Sequence, residues 1–185
     1  MNSLEHQQYP IGRFQRCPGP LGSAERSKLI DDIERAPAEI RALVEPLSDA
    51  QLELRYRPNG WTIRQVVHHV PDSHMNSYVR MKLAVTEAAP PKINAYDEAQ
   101  WAELPEARTL PVSVSLNLLT ALHGRWVPFL RQLSDDNFNR AYIHPELGVF
   151  PLYDALALYA WHGRHHAAHI ANALSRKLDI QHGTR

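Results

Sequence analysis

Apolar side chains recur every three or four residues along four long segments of the chain, a spacing that places them on one face of an α-helix. The segments run from residue 23 to near Pro46, from Ile63 to about Glu87, from about Val112 to Leu133 and from Leu152 to Leu178. The connections between these segments show little of the alternation of apolar and polar residues that is typical of β-strands. The pattern predicts an all-α domain built as a four-helix bundle.

The second of these helices has the clearest start signal, because Thr62 and Gln65 form a capping box at its beginning. Pro71 lies inside the predicted helix and cannot donate a backbone hydrogen bond. A kink is therefore expected close to two adjacent histidines, His68 and His69.

The segments between the long helices carry their own signals. Residues 1–22 contain three prolines and three glycines, which predicts an extended N-terminal arm that packs across the helices. Residues 48–51 form a capping-box pattern that opens a short helix. Residues 90–111 are too many for an ordinary bundle turn and predict either a crossover along the bundle or a lid. Residues 141–150 predict two short extended pieces around a turn.

Composition and charge narrow the classes of function. The 185 residues include 20 basic and 20 acidic side chains without a run of like charges, which argues against a surface for nucleic acid or an acidic membrane. The single Cys17 cannot form an internal disulfide, no apolar stretch approaches the roughly 18 residues of a membrane span, and the N-terminus lacks an apolar signal core. We therefore expect one cytoplasmic domain over residues 1–185, large enough to fold without a structural metal.

Histidine is the unusual residue type, since seven of the 11 histidines fall in two short segments. Four of them lie between Trp161 and His169 at relative positions 0, +3, +4 and +7, which share one face of a helix. Two histidines four residues apart present their imidazoles to one point, as a zinc-type ion requires. The pairs are His162 with His166 and His165 with His169, and only one pair is expected to face a given pocket.

The third ligand is expected from the other histidine-rich segment, residues 67–74. His68 and His69 point about 100° apart on a helix, so that at most one of them can join a given site. The spacing alone allows either, since His68 aligns with Arg64 and Asp72 one turn to each side.

From His69 the same helix face continues through Asp72 or Ser73, Asn76 and Arg80. Asp72, Asn76 and Arg80 are the candidates for a catalytic pocket above the metal, with Asp72 as a base or as a partner of a ligand imidazole. An ion pair between Asp72 and Arg80 is an equally good interpretation. Among the remaining histidines, His165 and His169 are expected to make packing or supporting contacts, and His74, His123 and His144 are expected to be ordinary bundle or loop residues.

Two runs resemble the DinB superfamily, specifically its YfiT-like metal-dependent hydrolases. They are GWTIRQVVHHVPDSHMNSYVRMKLAVTE at Gly60–Glu87 and ALYAWHGRHHAAHI at Ala157–Ile170. The similarity covers nearly the whole chain and includes YPIGRF at Tyr9–Phe14, YDEAQWAELPEART at Tyr96–Thr109 and LHGRW at Leu122–Trp126. The resemblance implies a four-helix bundle with a long crossover connection and short extra helices, and a homodimer.

The resemblance also implies one divalent ion per chain, zinc or nickel, held by three histidines. The family's HLAD-like motif reads HVPD here, which puts one ligand at His69, although Pro71 replaces a small residue of the motif. The other two ligands are His162 and His166, the pair that begins directly after Trp161. Three protein ligands leave a position for water, as in catalytic sites.

The sequence therefore predicts a metal-dependent hydrolase that acts on a small molecule through a metal-activated water or hydroxide. No glutamate follows a ligand histidine, so the general base is unassigned. Two alternatives stay open. Some relatives in the superfamily transfer a low-molecular-weight thiol, as bacillithiol transferases do, and a metal-coordinated thiol is deprotonated. The third possibility is a metal-binding dimer module without enzymatic activity.

Overall fold

The computed structural model describes the backbone of residues 3–182 and the side chains of residues 4–175. Its helices are α1 (Ser3–Gln8), α2 (Ser23–Val44), α3 (Asp49–Leu52), α4 (Ile63–Thr86), α5 (Glu98–Ala102), α6 (Pro105–Thr109), α7 (Val112–Arg131), α8 (Asp135–Asn139) and α9 (Leu152–His182). Strands β1 (Ala141–His144) and β2 (Gly148–Pro151) form an antiparallel hairpin. The predicted all-α bundle, the short helix after Ser48 and the two extended pieces are confirmed.

The four long helices form a bundle in which α2 and α4 each pack against both α7 and α9. Helix α4 runs antiparallel to α9, because His69 lies beside His166 while Ser73 lies beside Tyr159. Helix α4 runs parallel to α7, the next long helix in the chain: the side chain of residue 68 contacts that of 115, and residue 74 contacts residue 123. Two consecutive parallel helices require a connection that travels back along the bundle.

The segment between α4 and α7 is this connection. Its short helices α5 and α6 both pack against α4. Gln65 on α4 donates a hydrogen bond to the carbonyl oxygen of Ala102. The backbone N–H of Ile93 donates to the carbonyl oxygen of Ile143 in the hairpin. Of the two predictions for residues 90–111, the crossover is confirmed.

The interior of the bundle is layered. One apolar cluster includes Ile30, Ile33, Met81, Trp126, Leu130, Leu152 and Leu156. A second cluster includes Ile40, Val44, Val66, Val70, Leu116, Leu119 and Ile170. Between these positions along α4, α7 and α9 lie buried polar residues, which include Ser73, His74, Ser77, His123, His162, His165, His166 and His169. The polar layer places imidazoles from three helices between two apolar cores.

The N-terminal segment is extended only in part. Residues 3–8 form α1, which corrects the prediction of an extended arm over residues 1–22, and no proline or glycine precedes Pro10 to oppose a helix there. The following residues pack across the bundle as predicted. The buried carboxylate of Asp154 accepts hydrogen bonds from Nε of Arg16 at 2.7 Å and from the backbone N–H of Cys17 at 2.8 Å. This anchor holds the arm against α9.

Helix α4 begins at its predicted capping box, in which Thr62 accepts a hydrogen bond from the backbone N–H of Gln65. The helix is continuous through Pro71, whose ring is buried. The predicted kink beside the histidines stays a prediction. Within residues 3–182, we find no helix with the length and apolar character needed to cross a bilayer.

Candidate metal centre

Three buried imidazoles converge inside the bundle, one from α4 and two from α9. They belong to His69, His162 and His166, and one ring nitrogen from each lies within 4.8 Å of the others. The Nε2 atoms of His69 and His162 are 3.3 Å apart. Two nitrogen ligands bound at about 2.0–2.1 Å to a tetrahedral zinc ion lie about 3.3–3.4 Å apart. The nitrogen spacing therefore fits one edge of such a site.

The electrostatics of the cluster favour uncharged rings. Burial lowers the pKa of His69 to about 4. Burial, and then the neighbouring histidines, lower the pKa values of His162 and His166 well below the ordinary value. At neutral pH each ring thus keeps one unprotonated nitrogen, the form of imidazole that binds a metal.

The structure distinguishes between the two adjacent histidines of α4. The ring of His68 points toward α7, where its Nδ1 lies 2.7 Å from Oγ of Ser115 and its Nε2 lies 3.1 Å from the carbonyl oxygen of Leu110. Both of its ring nitrogens are satisfied away from the cluster. His69 is the α4 histidine that the structure brings to His162 and His166.

The second histidine pair of α9 lines the same cavity as the first. The ring of His165 stacks on Trp161 with centroids 4.2 Å apart, and that of His169 stacks on Tyr56 at 4.0 Å. The prediction that only one pair faces a given pocket is therefore wrong. The physical reason is that the N-terminal arm and the segment after α3 fold over the neighbouring strip of α9, so that one cavity meets both strips. The ring nitrogens of the second pair lie outside the cluster of three described above.

This cavity has a volume of about 320 Å³ and is walled mainly by large side chains. Its wall includes Tyr9, Tyr56, Trp61, Leu158, Tyr159 and Trp161, with Gln8, Ser73 and Glu98 as polar members besides the histidines. Glu98 is the one carboxylate among the described residues of the wall. Much of this residue is exposed, yet partial burial of its carboxyl group raises its pKa, an effect that the nearby Arg80 opposes.

The predicted pocket residues Asp72, Asn76 and Arg80 lie elsewhere, which corrects their assignment. Asp72 lies beside Glu106, and burial followed by that charge raises its pKa to about 6. The side-chain amide of Asn76 donates to the backbone carbonyl oxygen of Asp72, and Arg80 lines a separate polar cavity. The cavity opens on the side of α4 that Ser73 occupies, four residues after His69, and Asp72, Asn76 and Arg80 do not line it.

Two parts of the site had no periodic signal in the sequence. Glu98 lies on the crossover connection, and the only sequence feature that points to it is the run YDEAQW, which contributes to the family resemblance. Gln8 and Tyr9 line the cavity from the N-terminal segment. The expectation that His74 and His123 are satisfied bundle histidines is confirmed, since both are buried and hydrogen-bonded.

Comparison with known proteins identifies relatives in sequence and in fold. Residues 32–170 match the sequence profile of the DinB superfamily. The Bacillus subtilis protein named "Putative metal-dependent hydrolase YfiT" is 46% identical over 171 residues, which span 92% of this chain and 94% of that protein. A similarly named protein of Bacillus cereus (strain B4264) is 48% identical over 176 residues, 95% of this chain and 98% of that relative.

Solved structures show the same fold. The structure of YfiT from Bacillus subtilis, described as an unusual four-helix bundle topology, superposes with a TM-score of 0.90 at 44% identity and covers 93% of this chain and 98% of its own. A mycothiol-dependent maleylpyruvate isomerase has a TM-score of 0.61 at 16% identity, over 77% of this chain and 59% of the isomerase, and that likeness concerns the fold alone.

Proposed function

This chain is a member of the DinB superfamily, and we propose that it is a metal-dependent hydrolase that acts on a small molecule at the three-histidine site. The observation that carries the proposal is the convergence of three neutral imidazoles on one point at the wall of a cavity. His69, His162 and His166 would hold one divalent ion, zinc or nickel. A cavity of about 320 Å³ suits a small substrate.

The chemistry of the site is divided between the ion and the side chains. When bound, the ion lowers the pKa of a water molecule toward about 7 and polarises the carbonyl or similar group under attack. Trp61 and Trp161 cover two of the imidazoles of the cavity, with ring centroids 4.8 Å from His69 and 4.2 Å from His165. These rings exclude bulk water and offer apolar surface to the substrate.

Glu98 is our candidate for the general base. It is the only carboxylate that lines the described wall of the cavity, and its raised pKa brings it nearer to the working pH, where a general base is most effective. Its carboxylate would accept a proton from the attacking water and return it to the leaving group. Asp72, the base considered from sequence, does not line the cavity.

Replacement of Glu98 by glutamine is expected to lower kcat by about 10²- to 10⁴-fold, the usual contribution of a general base, while metal content stays unchanged. The acidic limb of the pH–rate profile should disappear with the carboxylate. Glu146→Gln is the matched control, because Glu146 lines the neighbouring polar cavity together with Glu98 but not the histidine cavity. Equal activity of the Glu98→Gln variant and the parent would rule out this role.

The reaction class is tested by turnover of the zinc- and nickel-reconstituted protein. We expect metal-dependent hydrolysis of activated esters or amides, abolished by a chelator and restored by the ion. A parallel assay follows the consumption of a low-molecular-weight thiol in the presence of an electrophile. Thiol consumption without hydrolysis would replace the hydrolase by a thiol S-transferase, and metal binding without either activity would leave a binding module.

A further inference from the structure

We propose that three histidines outside the metal-binding set determine which ring nitrogen of each α9 ligand carries the proton. These positioning residues are His74, His123 and His169. The proposal rests on the metal site proposed above but on no step of the reaction. It explains why the polar layer of the bundle contains more imidazoles than a three-ligand site needs.

The argument starts from the chemistry of a neutral imidazole, which carries one N–H and one lone pair. Only the nitrogen with the lone pair can bind a metal. Which nitrogen that is depends on the hydrogen bond made by the other one. A backbone carbonyl oxygen accepts but never donates, so a ring nitrogen that contacts it must be the one that carries the hydrogen.

The first chain of hydrogen bonds starts on α2, at the carbonyl oxygen of Ile33. Nδ1 of His123 lies 2.7 Å from this oxygen and must donate to it. Nε2 of His123 is then an acceptor, and Nδ1 of His74, 2.8 Å away, donates to it. Nε2 of His74 is in turn an acceptor for Nδ1–H of His162 at 3.0 Å. His162 is left with its lone pair on Nε2, the atom that lies 3.3 Å from Nε2 of His69.

The second chain starts at the N-terminal segment, at the carbonyl oxygen of Gln8. Nε2 of His169 lies 3.1 Å from this oxygen and donates to it, which makes Nδ1 of His169 an acceptor. Nδ1 of His166 lies 3.4 Å from that atom and donates to it. His166 is therefore also left with its lone pair on Nε2.

The two chains are independent and give the same result. They start on different elements, use different supporting residues and have opposite ring orientations at their first histidine, since His123 donates from Nδ1 and His169 from Nε2. Both nevertheless leave Nε2 free on the ligand. Burial is the main cause that lowers the pKa values of His123 and His169 to about 4, in agreement with one proton per ring at neutral pH.

Such partners affect a metal site in two ways. A hydrogen bond to the far nitrogen holds the ring in one orientation and increases the electron density on the ligating nitrogen, and its loss commonly lowers metal affinity by about tenfold to a hundredfold. In this bundle the supports are themselves imidazoles, so that each of the two α9 ligands is oriented through buried rings rather than by a carboxylate.

The first test reads the tautomers directly and needs no substitution. We expect ¹⁵N NMR spectra of the metal-free, histidine-labelled protein at neutral pH to show the Nδ1–H tautomer for His162, His166, His74 and His123 and the Nε2–H tautomer for His169. A hydrogen on Nε2 of His162 or His166 would overturn the proposal. Because no turnover is measured, failure of the hydrolase assignment would leave this result unaffected.

The second test measures zinc affinity by competition with a chelator. His74→Leu is expected to bind zinc about tenfold to a hundredfold more weakly than the parent. His74→Gln should restore most of the affinity, because its amide oxygen can accept from Nδ1–H of His162 and its amide N–H can donate to Nε2 of His123. His68→Leu is the matched control, since His68 is also buried on α4 and makes its two hydrogen bonds away from the site.

The pattern across these variants separates positioning from packing. The proposal would be supported if zinc affinity falls in His74→Leu, returns in His74→Gln and is unchanged in His68→Leu. The same loss in His68→Leu as in His74→Leu, or parental affinity in His74→Leu, would contradict it, since a general effect of removing a buried histidine would then account for the data.

Discussion

Replacement of His162 or His166 by alanine is expected to reduce the zinc content of the reconstituted protein from about one equivalent per chain to nearly none. Each substitution leaves two ligands, and no other ring nitrogen or carboxylate among the described residues belongs to the cluster. Because open zinc sites use three protein ligands, the remaining pair should not hold the ion. Metal analysis of protein purified without a histidine tag gives the measurement.

Two control variants make this result specific. His165→Ala removes a buried imidazole that lines the same cavity, next to His166, without removing a nitrogen of the cluster. His68→Ala does the same on α4, beside His69. Both controls should keep about one equivalent of zinc. Retention in His166→Ala together with loss in His165→Ala would mean that the other pair of α9 binds the metal.

Acidification is expected to destabilise the metal-free protein strongly between about pH 6.5 and pH 4. In the unfolded chain the histidines titrate near their ordinary pKa of about 6.5. In the folded protein, burial lowers the pKa values of His69 and His123 to about 4. As the pH falls through this window the unfolded state takes up protons that the folded state does not, so the stability present above pH 6.5 is lost.

The size of this effect follows from the number of such rings. A lowering from about 6.5 to about 4 at one buried ring corresponds to about 3 kcal/mol, and whole domains are stable by only about 5–15 kcal/mol. Chemical denaturation of chelator-treated protein at several pH values measures the slope, and the His123→Gln variant should show a shallower one. A free energy of unfolding that does not change over this window would contradict the buried, neutral state of the histidines.

The helices could be predicted from sequence because the signals that define them come from residues close to one another in the chain. The apolar face of each helix is a pattern with a period of three to four residues. The capping box at Thr62 and Gln65 and the turn between the two strands are interactions between residues close in the chain. The i, i+4 pair of His162 and His166 belongs to the same class, since helix geometry alone brings the two rings together.

The remaining parts of the site depend on how the helices and the connections pack against one another. The spacing of residues within one helix does not determine this packing. The rotation of α4 against α9 determines that Ser73, and not Asp72, faces the cavity. The same rotation turns His68 toward Ser115 and His69 toward the cluster. Glu98 reaches the cavity only because the crossover passes along α4. A helical wheel gives the direction of a side chain from its own axis but not what lies opposite.

The parallel arrangement of α4 and α7 determines when the proposed metal site can form. Nε2 of His69 and Nε2 of His162 belong to residues 93 positions apart, and the crossover, α7 and the hairpin all lie between them in the chain. A chain emerging from the ribosome therefore presents the α4 histidine long before α9 has been synthesised. Closing so long a loop costs conformational entropy that only the packed bundle offsets. Loading of the proposed ion would therefore follow the synthesis and folding of α9.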